Sequence, residues 1–235
     1  YHSCFILQEK LLELKKNSHE IVYWVGYDDS EMDKLLGTIF HSYEDALKAL
    51  PAKNVDVSEF SPPGEEIVSR FYKTESLILT MMNRIVGGLG VTQRKRLCYE
   101  MLRYWMGVLK KYQPDFIIFP LIPHFAFDYL IYEIAKELNI KTVMFLDTRI
   151  PGRLLFFNDF RYGSETLKKS LIENISGNFS VNDLGADFQK HYRRYTDKNI
   201  TNIPPHIQFQ RNKYSLINRF FNKFIGNFKN FNILK

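Results

Sequence analysis

The chain is poor in cysteine: among 235 residues there are two, Cys4 and Cys98. Two thiols build neither a disulfide framework nor a zinc site, and such usage fits a reducing compartment. No stretch reaches the roughly 18 consecutive apolar residues of a spanning helix. A leader that is charged and then apolar is also missing, and the first residue is Tyr1 rather than Met, which reads as a fragment or processed piece. No fixed-period repeat is visible. With 45% hydrophobic, 15% aromatic and 25% charged residues, the composition excludes disordered, collagenous and low-complexity classes. It suffices for one large packed domain or two small ones.

Charge is present but unevenly placed. The formal net charge is +6, and positions 186–235 hold ten Lys and Arg against two Asp. That segment therefore balances at +8 and the preceding 185 residues at −2. The body is not a basic nucleic-acid-binding domain, and no nucleic-acid partner is expected. Within the basic segment Ile217, Phe220, Phe221, Phe224, Ile225 and Phe228 recur at helical spacing, with Arg219, Lys223 and Lys229 between them. A basic amphipathic helix with an aromatic stripe suits an anionic membrane surface, here through positions 214–231. The alternative is a helix packed on a further domain.

Hydropathy patterning divides the chain into short elements. Phe5 to Lys16 reads as an amphipathic helix, and Ile21 to Val25 as a strand opening into Gly26-Tyr27-Asp28-Asp29. Ser42 is an N-cap for a short helix from Tyr43 to Leu50, stopped by Pro51. Glu65 to Ile85 is a long helical pattern, Gly87-Gly88-Leu89-Gly90 interrupts it, and Thr92 caps a second helix reaching about Tyr112. After Gln113-Pro114-Asp115, the run from Phe116 to Leu121 reads as a strand buried on both faces. Phe125 to Leu138 is helical, Thr142 to Leu146 is a second buried strand, and Leu154 to Phe157 reads as a strand, without a burial assignment, before a helix near Ser164 to Ile175. Strand, helix and strand over Phe116 to Leu146 make a βαβ unit. The expected fold is α/β, an open and mainly parallel sheet covered by helices over 1–185, followed by a basic helical extension over 186–235.

Open parallel sheets bind ligands beyond the carboxyl ends of their strands. Three such ends are readable: Gly26 to Asp29, Pro123 to Asp128, and Asp147 to Arg153. They carry Asp28, His124, Asp128, Asp147, Arg149 and Arg153, a set suited to acid/base work and anion binding. The bland alternative has the aspartates pairing with the arginines and His124 capping its helix. Gly88 and Gly90 could bring backbone N–H groups to a phosphate at a helix N-terminus. The preceding segment reads as helix, so no dinucleotide fingerprint forms and an inter-helix hinge is favoured. Cys98, between Leu97 and Met101 on a helix, reads as core. Neither a metal nor an organic cofactor is called for.

At Pro114 to Phe119, Pro123-His124, Asp128-Tyr129, Ala135 to Thr142 and Asp147 to Arg153, the chain resembles the N-terminal half of bacterial surface-polysaccharide biosynthesis proteins of the capsule-synthesis glycosyltransferase type. The glycine cluster also resembles the glycine loop of starch and glycogen synthases. The resemblance implies a GT-B type protein with two Rossmann-like halves, the first receiving the acceptor and the second holding a nucleotide-sugar donor. It makes this chain the acceptor half plus a linker helix, active on a glycan or lipid-linked acceptor at the cytoplasmic face of the membrane. His124 is then the expected general base, Asp128 or Asp147 orients it or a sugar hydroxyl, and Arg149 and Arg153 hold anionic groups. The alternatives are a non-catalytic sugar- or partner-binding module of a polysaccharide assembly, or a nucleotide-dependent ligase.

Overall fold

A computed structural model describes residues 17–27, 37–148, 150, 152–197, 203, 207–209 and 211. The expected helix at Phe5 to Lys16, Asp28, Arg149 and the aromatic stripe after Ile217 lie outside the described residues. By internal contacts the chain separates into two compact units, Tyr1–Glu173 and Asn174–Lys235.

In the first unit, β1 (Tyr23–Gly26) pairs in parallel with β2 (Ile39–Ser42), Tyr23 facing Ile39. Helix α1 (Tyr43–Leu47) starts at Ser42, whose hydroxyl accepts from the Asp45 N–H at 3.4 Å. A 3-10 turn (Val57–Glu59) follows, anchored by Arg103, whose guanidinium donates to Phe60 O at 2.7 Å and Val57 O at 3.0 Å. The long helical pattern then divides into α2 (Glu65–Arg70) and α3 (Tyr72–Val86). The break is at Phe71, which turns to φ −89°, ψ 6° to put its ring in the core. Its position is a packing choice, since neither glycine nor proline is there.

Helix α4 (Val91–Tyr112) is the central element. Its cap is Gly90 rather than Thr92: the Gly90 N–H donates to Gln93 Oε1 at 2.9 Å, the return bond of a capping box. Gln113 ends it in the left-handed region, φ 42°. Cys98, Met101, Leu102, Trp105, Val108 and Leu109 bury the inner face, and burial pushes the Cys98 thiol up to about 12, so it is an inert core residue as expected.

Strand β3 (Phe116–Phe119), helix α5 (Ala126–Glu137) and strand β4 (Lys141–Asp147) form the expected βαβ unit. β3 and β4 are parallel with Phe119 opposite Met144. Asn139, at φ 55°, supplies the left-handed residue that turns the chain from α5 into β4. β5 (Leu154–Phe157) lies antiparallel to β4, Asp147 facing Leu154. The three strands make a mixed sheet in the order β3-β4-β5, separate from the β1-β2 pair, where a single open sheet was expected. The connection over 148–153 is a hairpin, too short for the dozen or so residues that a parallel return requires.

Full burial of the β3 and β4 runs does not hold either: Phe116 is 38% and Leu146 37% exposed. In β5, Phe156 and Leu154 are exposed as well. β3 and β5 are edge strands, and only one face packs on the core, through Ile117, Phe119, Met144, Leu155 and Phe157. Beyond β5, Arg161 Nε donates to the Tyr132 hydroxyl at 2.8 Å, and that hydroxyl donates to Asp159 at 2.7 Å, tying the turn to α5. Helix α6 (Glu165–Asn174) follows.

In the second unit a 3-10 turn (Val181–Asp183) is capped by Ser180, and α7 (Ala186–Thr196) lies in the expected basic extension. None of the described helices is long and apolar enough to cross a membrane.

Candidate functional site

The carboxyl end of β3 presents the best-formed chemistry. The chain leaves Phe119, buries Pro123 and exposes His124 just before α5. His124 Nδ1 lies 2.8 Å from the carbonyl oxygen of Ile122. A carbonyl only accepts, so Nδ1 carries the proton and the neutral ring keeps its lone pair on Nε2. The side chain is 45% exposed.

Asp128 stands one helical turn on, with Oδ2 4.0 Å from His124 Nδ1 and a side chain 17% exposed. Its other oxygen accepts from the Phe125 N–H at 2.7 Å. The helix is thus capped by Asp128 and not by His124. Burial raises the Asp128 carboxyl to about 6, against the N–H groups of Phe125, His124 and Tyr129 and the His124 charge, which all favour the ionised form. Desolvation wins because the carboxylate sits against the apolar start of α5. An exposed imidazole and a carboxyl titrating near 6 are thereby within one turn of each other.

The three expected strand ends fare differently. Asp147 is the exposed last residue of β4, three residues beyond the Met144 that faces Phe119. Arg153 is exposed on the same hairpin, which Thr148 stitches: its hydroxyl donates to Arg153 O at 2.8 Å and accepts from the Ile150 N–H at 3.2 Å. The structure joins His124 to Asp128, while the hairpin's own hydrogen bonds position Asp147 and Arg153. Gly88 and Gly90 lie in the turn between α3 and α4. Gly90 commits its N–H to Gln93, and a Cβ at Gly88 would meet open space. This is the hinge arrangement, with a helix rather than a strand before it.

Four residues beyond the expected set connect to His124 through Phe125, which alone of them meets its ring. Tyr27, directly after β1, is 70% exposed and lies 4.5 Å from the Tyr43 ring at 35°. Tyr43 opens α1 and meets Phe125 edge-on at 6.0 Å, and Phe125 in turn lies 4.3 Å from the His124 ring. Arg84, from the last turn of α3, places its guanidinium 5.7 Å from the Phe125 ring centre. Burial, Tyr27 and the Asp128 charge together push the Tyr43 hydroxyl well above the usual phenol range. The ends of β1, β2 and β3 therefore meet in one aromatic row ending at an imidazole. An aromatic beside a strand-end glycine was the available signal for Tyr27; nothing local marked Arg84.

A second histidine, His41 on β2, is buried and fully satisfied. Nε2 lies 2.9 Å from Leu50 O, Nδ1 2.8 Å from the Tyr23 hydroxyl, and that hydroxyl 2.6 Å from Tyr104 Oη. Tyr104 Oη accepts from the Ala52 N–H at 3.0 Å. Since Leu50 O only accepts, the chain has one direction: Ala52 to Tyr104 to Tyr23 to His41 to Leu50. Burial lowers the His41 pKa and keeps the ring neutral, stacked 5.3 Å from Trp105.

Among the described residues, no group of three or more His, Cys, Asp or Glu is placed to hold a metal ion. No family model, curated protein or solved structure matches the chain.

Proposed function

We propose that the chain is the acceptor-side, Rossmann-like half of a glycosyltransferase of bacterial surface-polysaccharide biosynthesis, of capsule or lipopolysaccharide. The observation that carries this reading is the His124–Asp128 pair beyond β3: a half-exposed imidazole whose Nδ1 lies 2.8 Å from the Ile122 carbonyl, which in the neutral ring leaves the lone pair on Nε2, with a carboxylate 4.0 Å from Nδ1. Nε2 takes the proton of an acceptor hydroxyl as its oxygen bonds to the anomeric carbon of a nucleotide-sugar. The bond from that carbon to the phosphate oxygen breaks, and the nucleotide leaves with the electron pair. Asp128, when ionised, stabilises the imidazolium formed. With His124 as base the displacement inverts the anomeric centre. In this reading a second α/β half holds the donor, Arg149 and Arg153 contact anionic groups, Asp147 orients a sugar hydroxyl, and positions 214–231 meet the cytoplasmic membrane face beside a lipid-linked acceptor.

The test is His124→Gln in the full-length protein, assayed for sugar transfer. The imidazole is exposed and bonded only to its own loop, so the melting temperature should hold while transfer falls about 100-fold or more. Undiminished turnover removes His124 from the chemistry. The exposed Tyr27 ring beside Tyr43 favours a second reading, a non-catalytic module that holds a glycan, in which His124→Gln leaves binding intact and no transfer is detectable in either form.

A further inference from the structure

The row Tyr27, Tyr43, Phe125 and His124, with Arg84 over its Phe125 ring, has the makings of a ligand platform. A pyranose presents one face of C–H groups, apolar and weakly positive, which matches the negative face of an aromatic ring. Tyr27 and Tyr43 are 35° from parallel at 4.5 Å, and Tyr27 keeps 70% of its surface in water. An aromatic side chain so exposed beside a strand end forgoes most of its burial energy. An exposed ring continued by two half-buried ones, Tyr43 and Phe125, and ending at a polar group is the pattern of a small-molecule site more than of a core edge.

The charge at the row's rim narrows the ligand. Arg84 is exposed and lies over Phe125 at 5.7 Å, and no carboxylate among the described residues pairs with it. The ring holds the guanidinium by one face and leaves its N–H edge for a ligand; that edge matches a carboxylate or phosphate with two parallel bonds. Arg70 and Arg161, by contrast, are each paired with glutamates at 3.0 and 3.3 Å.

We propose that the glycan bound at this edge is acidic, its sugar rings on Tyr27 and Tyr43 and its anionic group on Arg84. This rests on the reading of the β3 edge as a glycan site and adds the substrate class. Tyr27 and Arg84 are then specificity-determining contacts outside the proton transfer itself.

The experiment is an amide-shift titration of the full chain with three probes: a uronic-acid oligosaccharide, its carboxyl-reduced neutral counterpart, and inorganic phosphate. The acidic oligosaccharide should shift Tyr27, Phe125 and Arg84 and bind at least about tenfold tighter than the neutral one. Arg84→Gln should erase that preference, and Tyr27→Ala should weaken both sugars; both side chains are exposed, so both variants should fold. Equal binding of the two sugars, unchanged by Arg84→Gln, overturns the acidic preference and leaves the glycan reading standing. Phosphate alone competing fully with the acidic sugar makes Arg84 a phosphate site and also overturns it. Binding of neither sugar refutes the glycan reading and this inference together.

Discussion

Tyr104→Phe is the sharpest probe of the buried chain that fixes β1 and β2 to α4. The ring volume is kept, so the perturbation is one oxygen. That oxygen accepts from the Ala52 N–H at 3.0 Å and lies 2.6 Å from Tyr23, and Ala52 is 3% exposed. Removal leaves a buried N–H without a partner, which costs about 1–3 kcal/mol, and takes one more bond from Tyr23. The expected loss is about 2–4 kcal/mol, or about 5–15 °C in Tm for a unit of this size. Urea unfolding followed by circular dichroism measures it, with the slope unchanged because the exposed area is unchanged. Tyr23→Phe should show coupling with Tyr104→Phe of about 1 kcal/mol or more in a double-mutant cycle. A Tyr104→Phe loss below about 0.5 kcal/mol, with no coupling, would refute the one-directional chain.

Three further outcomes follow from named side chains. Burial depresses the His41 pKa, so the unfolded state binds the extra proton: stability is full above about pH 6.5 and declines as pH falls below it, by at most about 1.4 kcal/mol per pH unit. His41→Gln should flatten that decline in urea midpoints measured from pH 7.5 to 5. Asp128 has the opposite sign: its carboxyl is raised to about 6, so its ionisation removes stability as pH rises from about 4 to 6. Asp128→Asn keeps an acceptor for the Phe125 N–H and should hold or raise Tm at pH 8 while transfer is lost; a marked drop in Tm would contradict the desolvation account. A methyl added at Gly107 would stand 2.2 Å from Phe60 Cγ, so Gly107→Ala should destabilise by about 1–3 kcal/mol, although alanine is the better helix former.

The parts of the fold legible in the sequence are those with local causes. Pro114 and Asp115 end one helix, an apolar run starts β3, and Asn139 turns α5 into β4, so the βαβ unit follows from neighbours in the chain. Ser42 is legible as a cap for the same reason. What failed depends on partners far away in sequence. The run Phe116-Ile117-Ile118-Phe119 carries no record of whether both its faces are covered, and Phe116 is left exposed. The break at Phe71 answers to a core position, not to a helix-breaking residue. The His124–Asp128 pair was legible because four residues on a helix start is a local spacing. Arg84 and Phe125 meet across 40 intervening positions, and no local pattern announces that.

His41 and His124 show why residue type and strand position alone do not separate a structural histidine from a functional one. Each lies on or just beyond a strand of a parallel pair, among aromatic rings, with one ring nitrogen beside a backbone carbonyl. The difference is the second nitrogen. For His41 it receives the Tyr23 hydroxyl, and every donor in the chain from Ala52 to Leu50 has its acceptor. Protonating that ring reverses the Tyr23 hydroxyl, then the Tyr104 hydroxyl, whose proton would meet the Ala52 N–H instead of an acceptor. The closed chain therefore holds the ring neutral and out of chemistry. For His124 the second nitrogen points away from its one carbonyl bond on a half-exposed ring, and the nearest charge is a carboxyl whose ionisation the fold disfavours. Folding alone would be served as well by an asparagine at 128, which also caps α5. A group that caps a helix at a cost in desolvation, beside an imidazole with a lone pair to spare, fits proton transfer better than it fits stability.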